Sequence, residues 1–187
     1  MVLRIIRNKK IFHLISHYSN NNRHLLKFTM MDEMIDEILE TGYYTYLEYG
    51  GTGRFDLGDI KKKYNVNIED IGKYLVSRGL VKLPQFSTGN PDEFTATISM
   101  YGISFVHPEY IDNNRNQIIS ILGTATGEMS IMELLGLDPK DFQIGFDLAK
   151  EFESEELLVA RYLADDVFIT LSEEGVQYYE DNKPFFF

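Results

Sequence analysis

A chain of 187 residues with 44% hydrophobic and 13% aromatic residues can bury a real core, as one domain or two small ones, and is not disordered by composition. It has no cysteine, which excludes disulfides, thiolate metal sites and cysteine nucleophiles and fits a reducing, cytoplasmic compartment. Its net charge is −11 but uneven: residues 1–31 carry six basic and no acidic residues, against 12 basic and 29 acidic in the remainder.

Arg4, Arg7, Lys9, Lys10, Arg23 and Lys27 make residues 1–31 a basic N-terminal arm. Such an arm can touch an anionic partner. It can equally pack on the acidic body or lie outside the native fold, because Met30, Met31, Asp32 and Glu33 read as a natural protein start. No apolar stretch approaches the roughly 20 residues that span a bilayer, and the N-terminus lacks the pattern of a signal peptide. No membrane partner is expected.

The spacing predicts an amphipathic helix over 32–48. Met31, Met34, Ile35, Ile38, Leu39, Tyr43, Tyr46 and Leu47 recur at helical intervals, with acids on the other side. Gly50, Gly51 and Gly53 end it, and 54–57 is a short extended piece. A short helix follows over 58–64 and a turn over 65–67. Asn67 then caps a helix whose Ile68, Ile71 and Leu75 face inward, closed by Gly79. A strand over 80–82, a loop over 84–92 and a returning strand over 94–99 complete the first half.

The second half repeats this order. A helix is expected over 116–122, a break over 123–127, a short helix over 130–135 and a turn at Gly136. Asp138 is expected to cap the next helix, with Pro139 at its first position. Phe142, Phe146, Ala149 and Phe152 are its expected apolar face, with Phe142, Phe146 and Phe152 buried against Ile169 and Val176. A strand over 156–161, a turn over 164–166 and a strand over 167–171 follow. Ser172 caps a final helix through Asn182. Gly102 and Gly175, 73 residues apart, each follow a β-type run and a polar capping residue, which marks an internal repeat.

The residues that carry a family resemblance are FDLGDI from Phe55, NIEDI from Asn67, RGLV from Arg78 and ISMYG from Ile98. In the second half they are SIMEL from Ser130, LLV from Leu157 and ITLSEEG from Ile169, with Val176, Tyr178 and Tyr179 beyond. On these, 32–106 and 112–182 each resemble a winged helix-turn-helix domain. The resemblance covers about four-fifths of the chain. It implies a mainly α fold with small antiparallel β-wings (α+β), as two winged-helix-like domains over 32–110 and 111–187.

In DNA-binding relatives the third helix enters the major groove. Here the first such helix exposes Glu69, Asp70, Lys73, Tyr74, Ser77 and Arg78, and the neighbouring helix adds Lys61, Lys62 and Lys63. Lys61, Lys62, Lys63, Lys73 and Arg78 are the candidate contact residues, for a nucleic acid or a protein partner. The second such helix, over 138–154, is expected to expose Lys140, Asp141, Gln143, Asp147, Lys150, Glu151 and Glu153, an acidic face that would repel a duplex.

No catalytic constellation is present, and neither an enzyme activity nor a cofactor is expected. The glycines at 50–53 and 123–127 lack the Lys-Ser/Thr ending of a phosphate loop and read as helix stops. His13 and His17, with His24 nearby, share helical spacing but lack a placed third ligand, so no metal is expected. Tyr43, Tyr44, Tyr46 and Tyr49 read as core and inter-domain packing, or in part as a partner hot spot. The sequence therefore favours a non-enzymatic regulatory or adaptor protein acting mainly through protein contacts. The alternative is a DNA-binding transcriptional regulator that uses the first winged helix and the basic arm.

Overall fold

The computed structural model describes residues 22–86 and 93–183. The chain divides into two compact units, Met1–Glu37 and Ile38–Phe187. Both sheets described below lie in the second. The class is α+β, mainly helical, with two small three-stranded antiparallel sheets.

Helix α1 spans Asn22–Glu48, ten residues further upstream than the sequence predicts. The added stretch holds Arg, Leu, Lys and Met and neither Gly nor Pro. These are strong helix formers, so Asp32 continues a helix rather than starting one. The boundary drawn at 31/32 therefore falls inside α1. Gly50 and Gly51 end it, both at positive φ.

Strand β1 (Phe55–Asp56) leads to α2 (Gly58–Tyr64) and α3 (Ile68–Ser77). The Asn67 side chain accepts from the backbone N–H groups of Glu69 and Asp70, satisfying donors that the first turn leaves free. Ile68, Ile71 and Leu75 are buried as expected. Strand β2 (Val81–Phe86) runs further than predicted and contains Pro84. Its register shifts between Lys82 and Gln85, and Leu83 sits at φ 51°. A proline has no N–H for the ladder, so it is tolerated at such a bulge. The expected loop over 84–92 thus begins after Phe86, and 87–92 lies outside the described residues. Strand β3 (Phe94–Ile98) pairs antiparallel with both neighbours, in the order β1-β3-β2.

Helix α4 (Met100–Val106) follows, then α5 (Pro108–Leu122). The sequence predicts only 116–122 of α5, because its first half is polar. Ile111, Ile118, Ile119 and Leu122 nevertheless bury at helical spacing, and Pro108 occupies the first turn. The boundary drawn at 110/111 falls inside this helix.

Strand β4 (Met129–Ser130) and α6 (Ile131–Leu135) come next. Asp138 makes no side-chain cap; Pro139–Asp141 is a 3-10 turn, and α7 spans Phe142–Ser154. Its buried face is Ile144, Gly145, Leu148, Ala149 and Phe152. Phe142 and Phe146 are only half-buried. Their tilted rings lie 6.0 Å apart, and Phe146 meets Tyr162 at 5.0 Å, forming a lateral layer under the Lys150 ammonium instead of a core. Val176, also expected inside, is exposed. Strands β5 (Leu158–Tyr162) and β6 (Val167–Leu171) complete the order β4-β6-β5, and α8 (Glu173–Asn182) follows.

The joints that close the two sheets are alike bond for bond. The Ser99 N–H donates to the Leu80 carbonyl, its hydroxyl donates to Gly79 O, and the Gly102 N–H donates to its Oγ. The Ser172 N–H donates to the Leu157 carbonyl, its hydroxyl to Glu156 O, and the Gly175 N–H to its Oγ. A Cβ on Gly102 would collide with the Leu80 carbonyl oxygen, and one on Gly175 with that of Leu157. Close backbone approach therefore requires glycine at both places.

Candidate functional site

The buried stripe of α3 turns Glu69, Asp70, Lys73, Ser77 and Arg78 to solvent. The preceding α2 carries Lys61, Lys62 and Lys63. Lys62 and Lys73, among the candidate cations, are paired with carboxylates of the same surface. Lys62 Nζ lies 3.1 Å from Asp59, and Lys73 Nζ lies 2.5 Å from Glu69. That hydrogen bond to Glu69 raises the Lys73 ammonium above its ordinary pKa. The Lys63 ammonium sits 5.1 Å from the Tyr64 ring and the Arg78 guanidinium 5.9 Å from the Tyr74 ring. The surface is thus mixed: five cations beside Asp59, Glu69 and Asp70.

The equivalent face of α7 is not open. Asp70 and Asp147 each stand nine residues before the left-handed residue that ends their helix, Gly79 or Glu156. Asp70 is exposed, whereas the Asp147 side chain is only 12% exposed. The Tyr46 hydroxyl, from α1, donates to Asp147 Oδ2 at 2.9 Å. Lys82, from β2, forms an ion pair with the same oxygen. Gln143 Nε2 donates to Oδ1 at 2.9 Å. The Lys82 ammonium also lies 5.6 Å from the centre of the Tyr46 ring. Tyr46 is fully buried. Burial first, and the Asp147 carboxylate second, push its phenol well above the usual range. Gly51 fits against the Gln143 and Ile144 backbone, with no room for a Cβ.

Beside this network is a cleft of about 290 Å³, lined by Thr52, Arg54, Lys82, Thr97, Gln143 and Asp147 among others. Its cations are already engaged. Arg54 Nη2 donates to the Leu83 carbonyl at 2.6 Å and to the Thr95 carbonyl at 3.2 Å, and Lys82 is held by Asp147. The cleft therefore reads as the seam between the two halves of Ile38–Phe187 rather than a ready anion site.

Gln143 and Asp147, expected on an exposed face, are turned inward. Of the four tyrosines, Tyr46 is core, while Tyr44 and Tyr49 are exposed. His13, His17 and the side chain of His24 lie outside the described residues. Among the described residues, no group of three or more His, Asp or Glu is placed to hold a metal ion, and no helix is long and apolar enough to cross a membrane. Comparison with family models, with curated proteins and with solved structures finds no match to this chain.

Proposed function

We propose that this is a non-enzymatic, cytoplasmic regulatory or adaptor protein of two winged-helix-like units, one around β1–β3 and one around β4–β6, acting mainly through contacts with protein. In this reading each unit is built around one three-stranded antiparallel sheet, β1-β3-β2 or β4-β6-β5. The observation that carries the functional reading is the contrast between α3 and α7. The face of α7 is occupied by Tyr46 and Lys82 of the first half. The face of α3 is open, but Lys73 and Lys62 there are paired with carboxylates. Non-specific duplex affinity rests on Lys and Arg contacts to phosphate. A surface that mixes both signs, on a body of 12 basic and 29 acidic residues, suits a protein partner better than a polyanion.

A second reading keeps DNA as the partner, through Lys61, Lys62, Lys63, Lys73 and Arg78 together with the basic arm. The deciding experiment is titration of a random-sequence duplex with the full chain and with a variant carrying alanine at those five positions. At about 0.15 M salt the protein-contact reading expects binding weaker than the roughly 10⁻⁴ to 10⁻⁶ M usual for non-specific contacts. Micromolar binding that the five alanines abolish would establish the DNA reading instead. Micromolar binding that they leave intact would credit the arm.

A further inference from the structure

His107 ends α4 and stands immediately before α5. Its ring lies between two carboxylates. Nε2 is 2.9 Å from Glu40 Oε2 on α1, and Nδ1 is 3.0 Å from Glu109 Oε1 on α5. A carboxylate only accepts, and a neutral imidazole has a single N–H. Both contacts are hydrogen bonds at once only when the ring carries both protons. The groups that face it are Glu40, Tyr43 and Tyr44 from α1, and Glu109 from α5, with Tyr110 behind Tyr43. The Tyr43 ring stacks on the imidazole at 4.1 Å, Tyr44 meets it edge-on at 6.3 Å, and Tyr43 meets Tyr110 at 5.6 Å. Burial raises the Tyr43 phenol and pushes that of Tyr110 up to about 12, so both stay neutral. Among the described residues, the charges on the ring are those of the two glutamates.

We propose that His107 is a pH-dependent clasp, whose imidazolium ties α1 to the α4–α5 joint through Glu40 and whose deprotonation releases one of its two carboxylates. Glu109 is two residues away in sequence, so the bond to Glu40, 67 residues away, is the tie between distant elements. Burial opposes the ring's charge, but the hydrogen bonds to Glu109 and Glu40 outweigh it and hold the imidazole above its ordinary value. A raised folded-state value means that the doubly bonded clasp stabilises fully below about pH 6.5 and that one of its two bonds is lost as pH rises through the folded value. The inference is independent of the partner proposed above.

The test is a titration of the ring C–H signals of the full chain by NMR, with His107 identified among the four histidines by its loss in His107→Gln. The expected midpoint lies above the ordinary imidazole value, and Glu40→Gln lowers it. The amide signals of Glu40 and Tyr43 shift with the same midpoint and stop shifting in His107→Gln. A midpoint at or below the ordinary value, one unmoved by Glu40→Gln, or amides of Glu40 and Tyr43 that do not follow the ring would each overturn the clasp.

Discussion

The hydroxyl of Tyr46 donates to the carboxylate of Asp147 across 101 residues of sequence, at 2.9 Å. With Lys82 on the same carboxylate, it fixes the polar face of α7 against the first half. Tyr46→Phe removes one neutral-to-charged hydrogen bond and should cost about 1.5–3 kcal/mol. Asp147→Ala should cost more, because it also strands a part-buried ammonium and a buried hydroxyl. Urea denaturation of both variants checks this order; equal stability of Asp147→Ala and the parent would refute it.

The two serine joints require glycine three residues on. Gly102→Ala and Gly175→Ala both drive a methyl into a backbone carbonyl that cannot withdraw without breaking the Ser99 or Ser172 bond. Each should cost at least about 3 kcal/mol. Gly127→Ala, where no atom lies within 4 Å of the added carbon, should cost only the strain of its φ of 128°. Thermal melts of the three variants separate steric collision from backbone strain.

Glu156 occupies at φ 63° the place that Gly79 takes at φ 68°. At both ends the helix closes with the same pair of backbone bonds: Gly79 N to Val76 O with Leu80 N to Leu75 O, and Glu156 N to Glu153 O with Leu157 N to Phe152 O. A side chain costs roughly 1–2 kcal/mol in this conformation. Glu156→Gly should therefore raise stability by about 0.5–1 kcal/mol, whereas Gly79→Ala should lower it. A lower melting temperature for Glu156→Gly would show that the carboxylate contributes more than its backbone strain costs.

The aromatic side chains of α7 divide by burial. Phe152 is 1% exposed, and truncation to Ala should cost about 3–5 kcal/mol. Phe146, half-buried between Phe142 and Tyr162, should cost about half of that. Equal losses in a chemical melt would place Phe146 in the core after all.

Much of the local architecture was legible because its chemistry is local. Asn67, Ser99 and Ser172 announce their caps two or three residues ahead of the N–H they satisfy, and Gly79 and Gly136 mark left-handed ends. The strand 167–171 was read to the residue. What was not legible depended on distant packing. Pro84 reads as a loop unless a bulge accommodates it, and the polar start of α5 hides Ile111. The face of α7 shows Phe142 and Phe146 at the same spacing as Ile144 and Leu148, so periodicity alone did not choose between them. Lys61, Lys62 and Lys63 lie on α2 and Lys73 on α3, with Arg78 just past its last turn. Nothing in the sequence pairs Asp147 with Tyr46, so the closed face of α7 was missed.

Asp70 marks an open helix face on α3 and Asp147 its closed counterpart on α7. The chain has no cysteine, so a single introduced thiol reports on one site. The direct measurement is the rate at which a small disulfide reagent modifies Asp70→Cys and Asp147→Cys, each first shown to keep the parent's circular dichroism. Asp70→Cys should react at the rate of a free thiol, and Asp147→Cys on the order of tenfold more slowly, limited by local opening. Equal rates at the two positions would show that the face of α7 is as open as that of α3.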